Sequence, residues 1–430
     1  MTENATTLPP KPLHVRVALV APDHPAHDVP LVDLLPSPAD NSAWLGGRLS
    51  VVGWGRAWRI DVTGRTEMRD AGRAWDTIRA DAVVDAPGDA PAFPIGIGSF
   101  GFAWATPGYL DVPEVTVVDA ASGRWVATAA VGATPEDPID ALLEAVGERA
   151  NNPVEVPVGL WTEAGRMSQS KWLESVRRLI GRLQGGAASK VVMSRDMVVS
   201  ASDGIDERHL LARLHELYPT TWAYAASGLI GATPEMLASM DAGTVTSRVL
   251  AGTADVGGGE ELMASMKDRT EHMLAVESVA RALGTIAETL DVDAEPSLLE
   301  LPNVVHLSTE VTATVADGGN VLDVVQALHP TAAVCGTPTK LAWDLLETFE
   351  STRRGRYSGP VGWIDAEGDG EFGIALRCGQ ISRDRRHVRV FAGGGIMPDS
   401  VPEAELAETR AKMKPVLDAL GVDGRAAARE

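Results

Sequence analysis

Two acidic pairs in this sequence could each place two carboxylates on one side of a helix. Asp268 and Glu271 are three residues apart in KDRTEH, and Glu405 and Glu408 are three apart in ELAETRAK. Residues at this spacing share a helix face. Two such helices could hold Mg²⁺, which takes few protein carboxylates and completes its shell with water and substrate oxygens. The spacing fits a solvated helix surface as well, with Lys412 one turn beyond Glu408 as an ion-pair partner.

One lysine and one glutamate are candidates for acid–base chemistry. Lys190 stands at the head of the apolar run KVVMSRDMVV, and Glu235 follows a proline at the end of a predicted strand in GATPEML. A carboxyl group in such a setting can have a raised pKa and act as an acid. The alternatives are a surface lysine with its stem on apolar neighbours and a glutamate that caps the next turn.

An arginine and a run of glycines could bind an anion. Arg377 lies inside the apolar strand FGIALRCGQI, where a guanidinium needs a carboxylate from the substrate or from the protein. Gly393, Gly394 and Gly395 directly follow a strand; consecutive glycines let the backbone approach a ligand and direct N–H groups at it, although a tight turn explains them equally well. This glycine run is not a GxGxxG motif, and no Walker A motif occurs in the sequence, so a nucleotide site has little support.

Two histidines complete the set of candidates. His329 ends a predicted helix before a loop of small residues in LHPTAAVCGTP, and His306 follows two valines in VVHLS, where a hydrogen-bonded core histidine is the simpler interpretation. Together, the candidates indicate a carboxylate-bearing small molecule, a metal and an acid–base pair. That combination favours elimination or addition over phosphoryl or hydride transfer.

The composition excludes several classes of function. The 430 residues include 38 basic and 59 acidic ones, and the net charge of −21 argues against a nucleic-acid or anionic-membrane surface. The two cysteines, Cys335 and Cys378, form no metal-binding spacing and no disulfide framework. The N-terminus lacks a signal-like apolar region, and no run approaches the roughly 18 apolar residues of a membrane span. We therefore expect a cytoplasmic protein with no nucleic-acid or membrane partner and a disordered tail over 1–13.

The pattern of elements predicts the α+β class. Residues 14–160 read as β-rich, with a helix candidate at 76–86 and a Pro-rich, acidic joint at 134–157. Beyond 165, helices and strands mix without strict alternation, which favours large sheets covered by helices. The helices predicted in this part span 168–186, 206–219, about 260–290, 322–330 and 402–421.

The order of the motifs resembles that of the chorismate-utilising enzymes. KVVMSR, GATPEML, LAGTA, KDRTEH, VVHLSTEV, LHPTAAVCGTPTKLA, RYSGPVGWIDAEGDGEFGIALRC, AGGGI and ELAETRAK follow one another as in that family. The family includes anthranilate, aminodeoxychorismate, salicylate and isochorismate synthases. The resemblance implies one domain over 14–425, with a variable part at 14–160 and a catalytic core at 165–421. It also implies large antiparallel sheets under outer helices, with the active site between them.

The resemblance also implies a role for each candidate. Mg²⁺ would be bound by Glu271 and Glu408, with Asp268 and Glu405 supporting it through water, and would hold the ring carboxylate of chorismate. Lys190 would act as the base and Glu235 as the acid. The positions that would contact the substrate are Gly252, Thr253, His306, His329, Ala333, Tyr357, Arg377, Gly393, Gly395 and Lys412. Among these, Tyr357 and Arg377 would bind the enolpyruvyl carboxylate.

Two positions indicate which reaction of the family to expect. Lys190 stands where ammonia-adding members usually have glutamine, and Ala333 stands where ammonia-adding and salicylate-forming members tend to have threonine. The expected reaction is therefore the addition of water to chorismate to give isochorismate, for menaquinone or siderophore synthesis. We expect no glutaminase subunit and, by default, a monomer. The alternatives are a salicylate-forming lyase and an acidic, metal-stabilised binding protein without catalysis.

Overall fold

Strands dominate the first third of the chain, as its alternating apolar runs predict. A computed structural model describes residues 8–300, 304–315, 318–351 and 353–422. The strands of this part are β1 (Leu13–Leu19), β2 (Ser42–Leu45), β3 (Ser50–Trp54), β4 (Trp58–Val62), β5 (Val83–Asp85), β6 (Gly96–Ser99), β7 (Gly108–Val112), β8 (Val115–Ala120) and β9 (Gly123–Val131). A 3₁₀ helix at Leu31–Leu34 and the helices α1 (Glu67–Asp81) and α2 (Pro138–Asn151) join them.

Helices and strands mix in the remainder of the chain. Its strands are β10 (Trp161–Ala164), β11 (Lys190–Ser200), β12 (Trp222–Ala226), β13 (Leu229–Thr233), β14 (Met236–Asp241), β15 (Thr244–Ala254), β16 (Ala287–Val292), β17 (Ser297–Glu300), β18 (Val305–Val315), β19 (Gly336–Thr337), β20 (Pro360–Ile364), β21 (Gly370–Ile374), β22 (Cys378–Ile381) and β23 (His387–Ile396). Its helices are α3 (Gln169–Gln184), α4 (Glu207–Leu217), α5 (Gly259–Ala264), α6 (Met266–Leu283), α7 (Val321–Leu328), α8 (Thr339–Phe349) and α9 (Pro402–Leu420).

Side chains at the N-termini explain where several helices begin. Ser168 caps α3 by accepting a hydrogen bond from the Lys171 N–H, and Ser265 caps α6 in the same way. Asn320 forms a reciprocal capping box at the start of α7. Each cap satisfies a backbone donor that has no partner inside the helix.

The structure differs from several predicted boundaries. The helix predicted at 76–86 is α1, which begins at Glu67, and Val83–Asp85 is a strand that pairs in parallel with β1. The helix predicted at about 260–290 is divided at Ser265, whose backbone is extended, and ends before Gly284; the chain then pairs with β18 as β16. Local apolar periodicity does not show these breaks, because caps and strand partners decide them.

The described residues begin at 8 and end at 422. Residues 1–7 of the predicted tail lie outside the described residues, and Leu13, the last residue of that tail, is the buried first residue of β1. Residues 423–425 of the predicted domain are likewise outside the described part. The joint at 134–157 contains α2, which packs against β1 and β9.

Two large sheets take strands from both sides of residue 160. In the described residues the larger sheet has the order β10-β11-β23-β22-β13-β12-β2-β3-β8-β9-β1-β5, with β19 beside β11. The smaller sheet has the order β16-β18-β15-β14-β21-β20-β6-β7-β4, with β17 beside β18. All pairings are antiparallel within these strands except that of β1 with β5. The predicted α+β class with large antiparallel sheets is confirmed.

Two neighbouring segments carry the chain from one sheet to the other. Residues 234–235 connect β13 of the larger sheet to β14 of the smaller one, and 375–377 connect β21 back to β22. The segments lie side by side, because the Ile374 N–H donates to the Glu235 carbonyl at 3.0 Å and the Ala232 N–H to the Arg377 carbonyl at 3.3 Å. Glu235 and Arg377 are thereby placed next to each other at the junction of the sheets.

The helices show no membrane-spanning character in the ranges that the structure describes. None of them is both long enough and apolar enough to cross a bilayer.

Candidate active site

One cavity, about 240 Å³ in volume, collects most of the candidate residues. It is lined by both sheets, by the segments that connect them, and by α6 and α9. The candidates among its lining residues are Lys190, Glu235, Gly252, Thr253, Asp268, Glu271, His306, Ala333, Tyr357, Arg377, Gly393, Gly395, Glu408 and Lys412. Glu405 and His329 are not among the residues that line it.

Glu235 is a buried carboxyl group that faces this cavity. Its backbone N–H donates to the Thr233 hydroxyl at 3.2 Å, and that hydroxyl donates to the Ile374 carbonyl, which fixes the turn after Pro234. Burial raises the pKa of Glu235 to about 7, although Arg377 and Lys190 oppose the rise. A carboxyl with this pKa is protonated in a useful fraction near neutral pH and can donate a proton.

Lys190 is the first residue of β11 and is held by a carboxylate from α6. Its Nζ lies 2.5 Å from Oε1 of Glu271, and the two side chains are 18% and 22% exposed. Gly395 of the neighbouring strand provides the space for the lysine, since a Cβ at that position would lie 2.6 Å from the Lys190 Cε. The cation at the mouth of the strand is therefore a cavity residue with an acidic partner and not a surface lysine.

A second lysine–glutamate pair lies on α9. The Nζ of Lys412 is 2.5 Å from Oε1 of Glu408 and also donates to the Gly393 carbonyl at 3.1 Å. Burial acts to raise the pKa of Glu408, but attraction to Lys412 and its hydrogen bond lowers it below the ordinary value. In an antiparallel strand the N–H and C=O of a residue point to the same edge. The Gly393 N–H, and with it that of Gly395, therefore points towards the edge where Lys412 lies.

The first acid of each helix pair, Asp268 on α6 and Glu405 on α9, is held by a serine. Ser265 donates from its hydroxyl to Asp268, and Ser400 donates to Oε1 of Glu405 at 2.7 Å. The second oxygen of Glu405 is buried and has no hydrogen-bond partner among the described residues. Burial, together with repulsion from Glu408, raises the pKa of Glu405. Gly394 makes room for this carboxylate, because a Cβ there would lie 2.8 Å from Oε2.

The donor set of the cavity fits a hard divalent cation held partly by substrate. Among the described residues no group of three His, Cys, Asp or Glu side chains is arranged to bind a metal. Mg²⁺ does not need one, because it is usually bound through one or two carboxylates with water and substrate oxygens. Glu271 and Glu408 face the same cavity from two helices, and Glu405, whose second oxygen is unpartnered among the described residues, is close enough to Glu408 to be repelled by it.

Arg377 and Tyr357 form an anion-binding corner. No ion pair or hydrogen bond of the Arg377 guanidinium is found within the described residues, so the internal salt bridge considered from sequence is not present. Burial lowers the pKa of Arg377, and its φ of +47° is a strained value of the kind that clusters at functional sites. Tyr357 stacks on Phe391 at 5.1 Å, and burial raises its pKa to about 12, so its hydroxyl remains a hydrogen-bond donor.

The two histidines have different surroundings. Nδ1 of His306 lies 3.0 Å from the Thr253 hydroxyl, and burial, with Arg377 nearby, lowers its pKa to about 4, so it is a neutral cavity residue. His329 instead turns into the core, where its Nε2 lies 3.2 Å from the Phe102 carbonyl and burial lowers its pKa to about 4. The geometry therefore gives no support to the predicted substrate contact of His329.

Sequence reasoning missed the residues that support the acids and the tyrosine. Ser265 precedes Asp268 by three residues, and this capping pattern could have indicated it. Thr233 and Ser400 also lie close in sequence to the acids that they support, two residues before Glu235 and five before Glu405. Phe391 carries no local signal, because it meets Tyr357 only through tertiary packing.

Comparison with known proteins places the chain in a family. Residues 43–421 match the family described as chorismate binding enzyme. Isochorismate synthase DhbC of Bacillus subtilis is 37% identical over 268 residues, which cover 58% of this chain and 67% of the relative. The salicylate biosynthesis isochorismate synthase of Pseudomonas aeruginosa is 30% identical over 410 residues, covering 89% and 85%.

Solved structures show the same fold. MenF, the menaquinone-specific isochorismate synthase of Escherichia coli, superposes with a TM-score of 0.75 at 23% identity, covering 97% of this chain and 96% of that one. Anthranilate synthase component I of Streptococcus pneumoniae gives a TM-score of 0.68 at 19% identity, covering 86% and 92%. The chain belongs to the chorismate binding enzyme family. The isochorismate synthases among its relatives make it an enzyme of this type, an isomerase.

Proposed function

We propose that this enzyme converts chorismate reversibly into isochorismate by adding water at ring carbon C2 with loss of the C4 hydroxyl. The observation that carries the proposal is the presence of Lys190 and Glu235 on the wall of one cavity, together with an unpaired guanidinium. The names of relatives that align over most of the chain support it as well. The product would feed menaquinone or siderophore synthesis, since relatives are named for both.

The acid and the base have separate tasks. Lys190 takes a proton from the attacking water only as a neutral amine. It must therefore first leave Glu271 and release its own proton to solvent, because the ammonium form that pairs with this carboxylate cannot accept a proton. Glu235 donates a proton to the departing hydroxyl, and its pKa of about 7 suits this task near neutral pH. The same two residues exchange roles in the reverse direction.

The remaining polar groups orient the substrate. Arg377 and Tyr357 bind the enolpyruvyl carboxylate through a charged and a neutral donor. Lys412 and the N–H groups of Gly393 and Gly395 face the ring carboxylate. Ala333 presents only a methyl group to the cavity, which leaves room for water beside the ring and no hydroxyl to bind an amine.

A magnesium ion fits this arrangement as the resident metal. Glu271 and Glu408 would hold it, with Asp268 and Glu405 in support. When bound, it would neutralise the ring carboxylate and favour the charge that develops in the conjugated system. No glutaminase subunit belongs to the proposal, because the nucleophile is water; a monomer stays a prediction.

Product analysis tests the proposal. The protein is incubated with chorismate and Mg²⁺ without ammonia, and the products are separated by chromatography. We expect isochorismate, no pyruvate, and no product from a Glu235→Gln variant. Stoichiometric pyruvate with salicylate would show a salicylate-forming lyase instead. Anthranilate formed after ammonium is added would overturn the argument from Lys190.

A further inference from the structure

In each acidic pair, on α6 and on α9, the second acid is held by a lysine and the first acid by a serine. Glu271 pairs with Lys190 and Glu408 pairs with Lys412, both at 2.5 Å. These two glutamates are the ones proposed to bind the metal directly. Each proposed direct metal ligand is therefore already paired with the ammonium group of a lysine.

We propose that Lys190 and Lys412 compete with the metal for these two carboxylates, so that metal binding and the release of Lys190 are a single event. This inference rests on the magnesium site of the proposed function. The metal then does more than hold the substrate, because it also separates Lys190 from the carboxylate that keeps it from the reaction.

Close contact and like charge make the two cations exclusive. A magnesium ion sits about 2.0–2.1 Å from its ligand oxygens. An ammonium nitrogen 2.5 Å from Oε1 of Glu271 would then lie within a few ångströms of a doubly charged ion on the same carboxylate. The ion-pair energy of the lysine is lost when the metal takes its place, and that loss is subtracted from the apparent metal affinity.

The two lysines are not equivalent in this exchange. Lys412 keeps a second partner, the Gly393 carbonyl at 3.1 Å, and can stay in place when Glu408 binds a metal. Within the part of the chain that the structure describes, the Lys190 ammonium has no partner besides Glu271, so it must move. Space is available, because Lys190 and Glu271 also line an outer cavity of about 440 Å³ that adjoins the first.

Removal of the competing charge should therefore strengthen metal binding. Mn²⁺ is a suitable probe, since the electron paramagnetic resonance signal of the free ion reports the bound fraction without any substrate. We expect the Lys190→Met variant of the full chain to bind Mn²⁺ about tenfold more tightly than the wild type, as loss of a partly buried ion pair predicts. Lys412→Met should show a smaller gain, about threefold, because of its second partner.

Two variants provide matched controls. Lys190→Arg keeps the positive charge and should bind Mn²⁺ like the wild type. Lys414→Met removes a lysine from the same helix as Lys412, where it pairs with Asp418 at 2.5 Å outside the lining of the cavity, and should leave the affinity unchanged. Circular dichroism of each variant verifies the fold before titration.

The outcomes separate this inference from the proposed function. If Lys190→Met bound Mn²⁺ no more tightly than the wild type, the proposed competition would be wrong. It would also be wrong if Lys190→Arg bound Mn²⁺ as tightly as Lys190→Met, because the gain would then come from the shape of the side chain and not from the loss of its charge. Failure of every variant to bind Mn²⁺ would refute the metal site itself. If Lys190→Met binds more tightly while the wild type makes no isochorismate, the competition stands and the proposed reaction fails.

Discussion

Replacing Glu235 with glutamine should abolish activity and at the same time make the folded protein more stable at alkaline pH. The carboxyl is buried and 9% exposed, with no hydrogen bond to its oxygens among the described residues. Burial raises the pKa of Glu235 from 4.5 to about 7. Glutamine has nearly the same shape and no charge, so it removes the cost of ionising this group in the folded state.

The magnitude and the sign follow from the difference between the folded and unfolded pKa values. Because the pKa is raised in the folded state, the contribution to stability is complete below pH 4.5 and is lost as the pH rises to about 7. The loss amounts to about 3 kcal/mol at pH 8 and about 1 kcal/mol at pH 5. For a chain of this size, about 3 kcal/mol corresponds to a rise in melting temperature of about 3 °C.

Thermal unfolding of wild type and Glu235→Gln at pH 5 and pH 8, in buffer with a metal chelator, measures this difference. The variant should gain stability at pH 8 and show a much smaller gain at pH 5. Glu174→Gln is the matched control, because Glu174 is an exposed carboxyl on α3, and it should change the melting temperature at neither pH.

Two results would refute this reasoning. If Glu235→Gln were no more stable than the wild type at pH 8, the carboxyl would not carry the proposed ionisation cost. If the gain were the same at both pH values, the effect would come from packing and not from the charge.

Further predictions concern the rate, the base and the anion site. Because Glu235 must be protonated to act as the acid and its pKa is about 7, kcat/KM for chorismate should fall about tenfold per pH unit above that value, as a pH–rate profile would show. Gly395→Ala should reduce kcat about tenfold by displacing Lys190, since the added Cβ would lie 2.6 Å from its Cε. Gly181→Ala on α3 has open space around it and should leave kcat unchanged; equal loss in both variants would contradict the role of Gly395. Arg377→Met should raise KM about thirtyfold without lowering the melting temperature, because the guanidinium has no ion pair within the described residues; an unchanged KM would remove it from the anion site.

The sequence predicts the contents of the cavity better than its internal contacts. The roles expected of Lys190 and Glu235 come from motif order, and the structure places both residues in the lining of one cavity. The sequence does not show that Lys190 is paired with Glu271, since the two residues are 81 positions apart and meet only when α6 packs beside β11. Long-range pairs of this kind depend on tertiary packing, which local patterns do not encode.

The glycines and His329 show the same limit. The sequence places Gly393, Gly394 and Gly395 directly after a strand, whereas in the structure they lie within β23 and leave room for Tyr357, Glu405 and Lys190. The motif around His329 implies a contact with the substrate. Its direction is set by a hydrogen bond to Phe102, a residue of the N-terminal part for which the motif gives no information.

The central claim, addition of water at C2 with loss of the C4 hydroxyl, is tested most directly with isotopic water. Chorismate of normal composition is converted in H₂¹⁸O, and the isochorismate formed is examined by mass spectrometry after a single turnover. Our account predicts one ¹⁸O atom in the product, at C2, and no incorporation with Glu235→Gln. Isochorismate without solvent oxygen would mean that the original hydroxyl is transferred within the substrate, and the roles assigned to Lys190 and Glu235 would then be wrong.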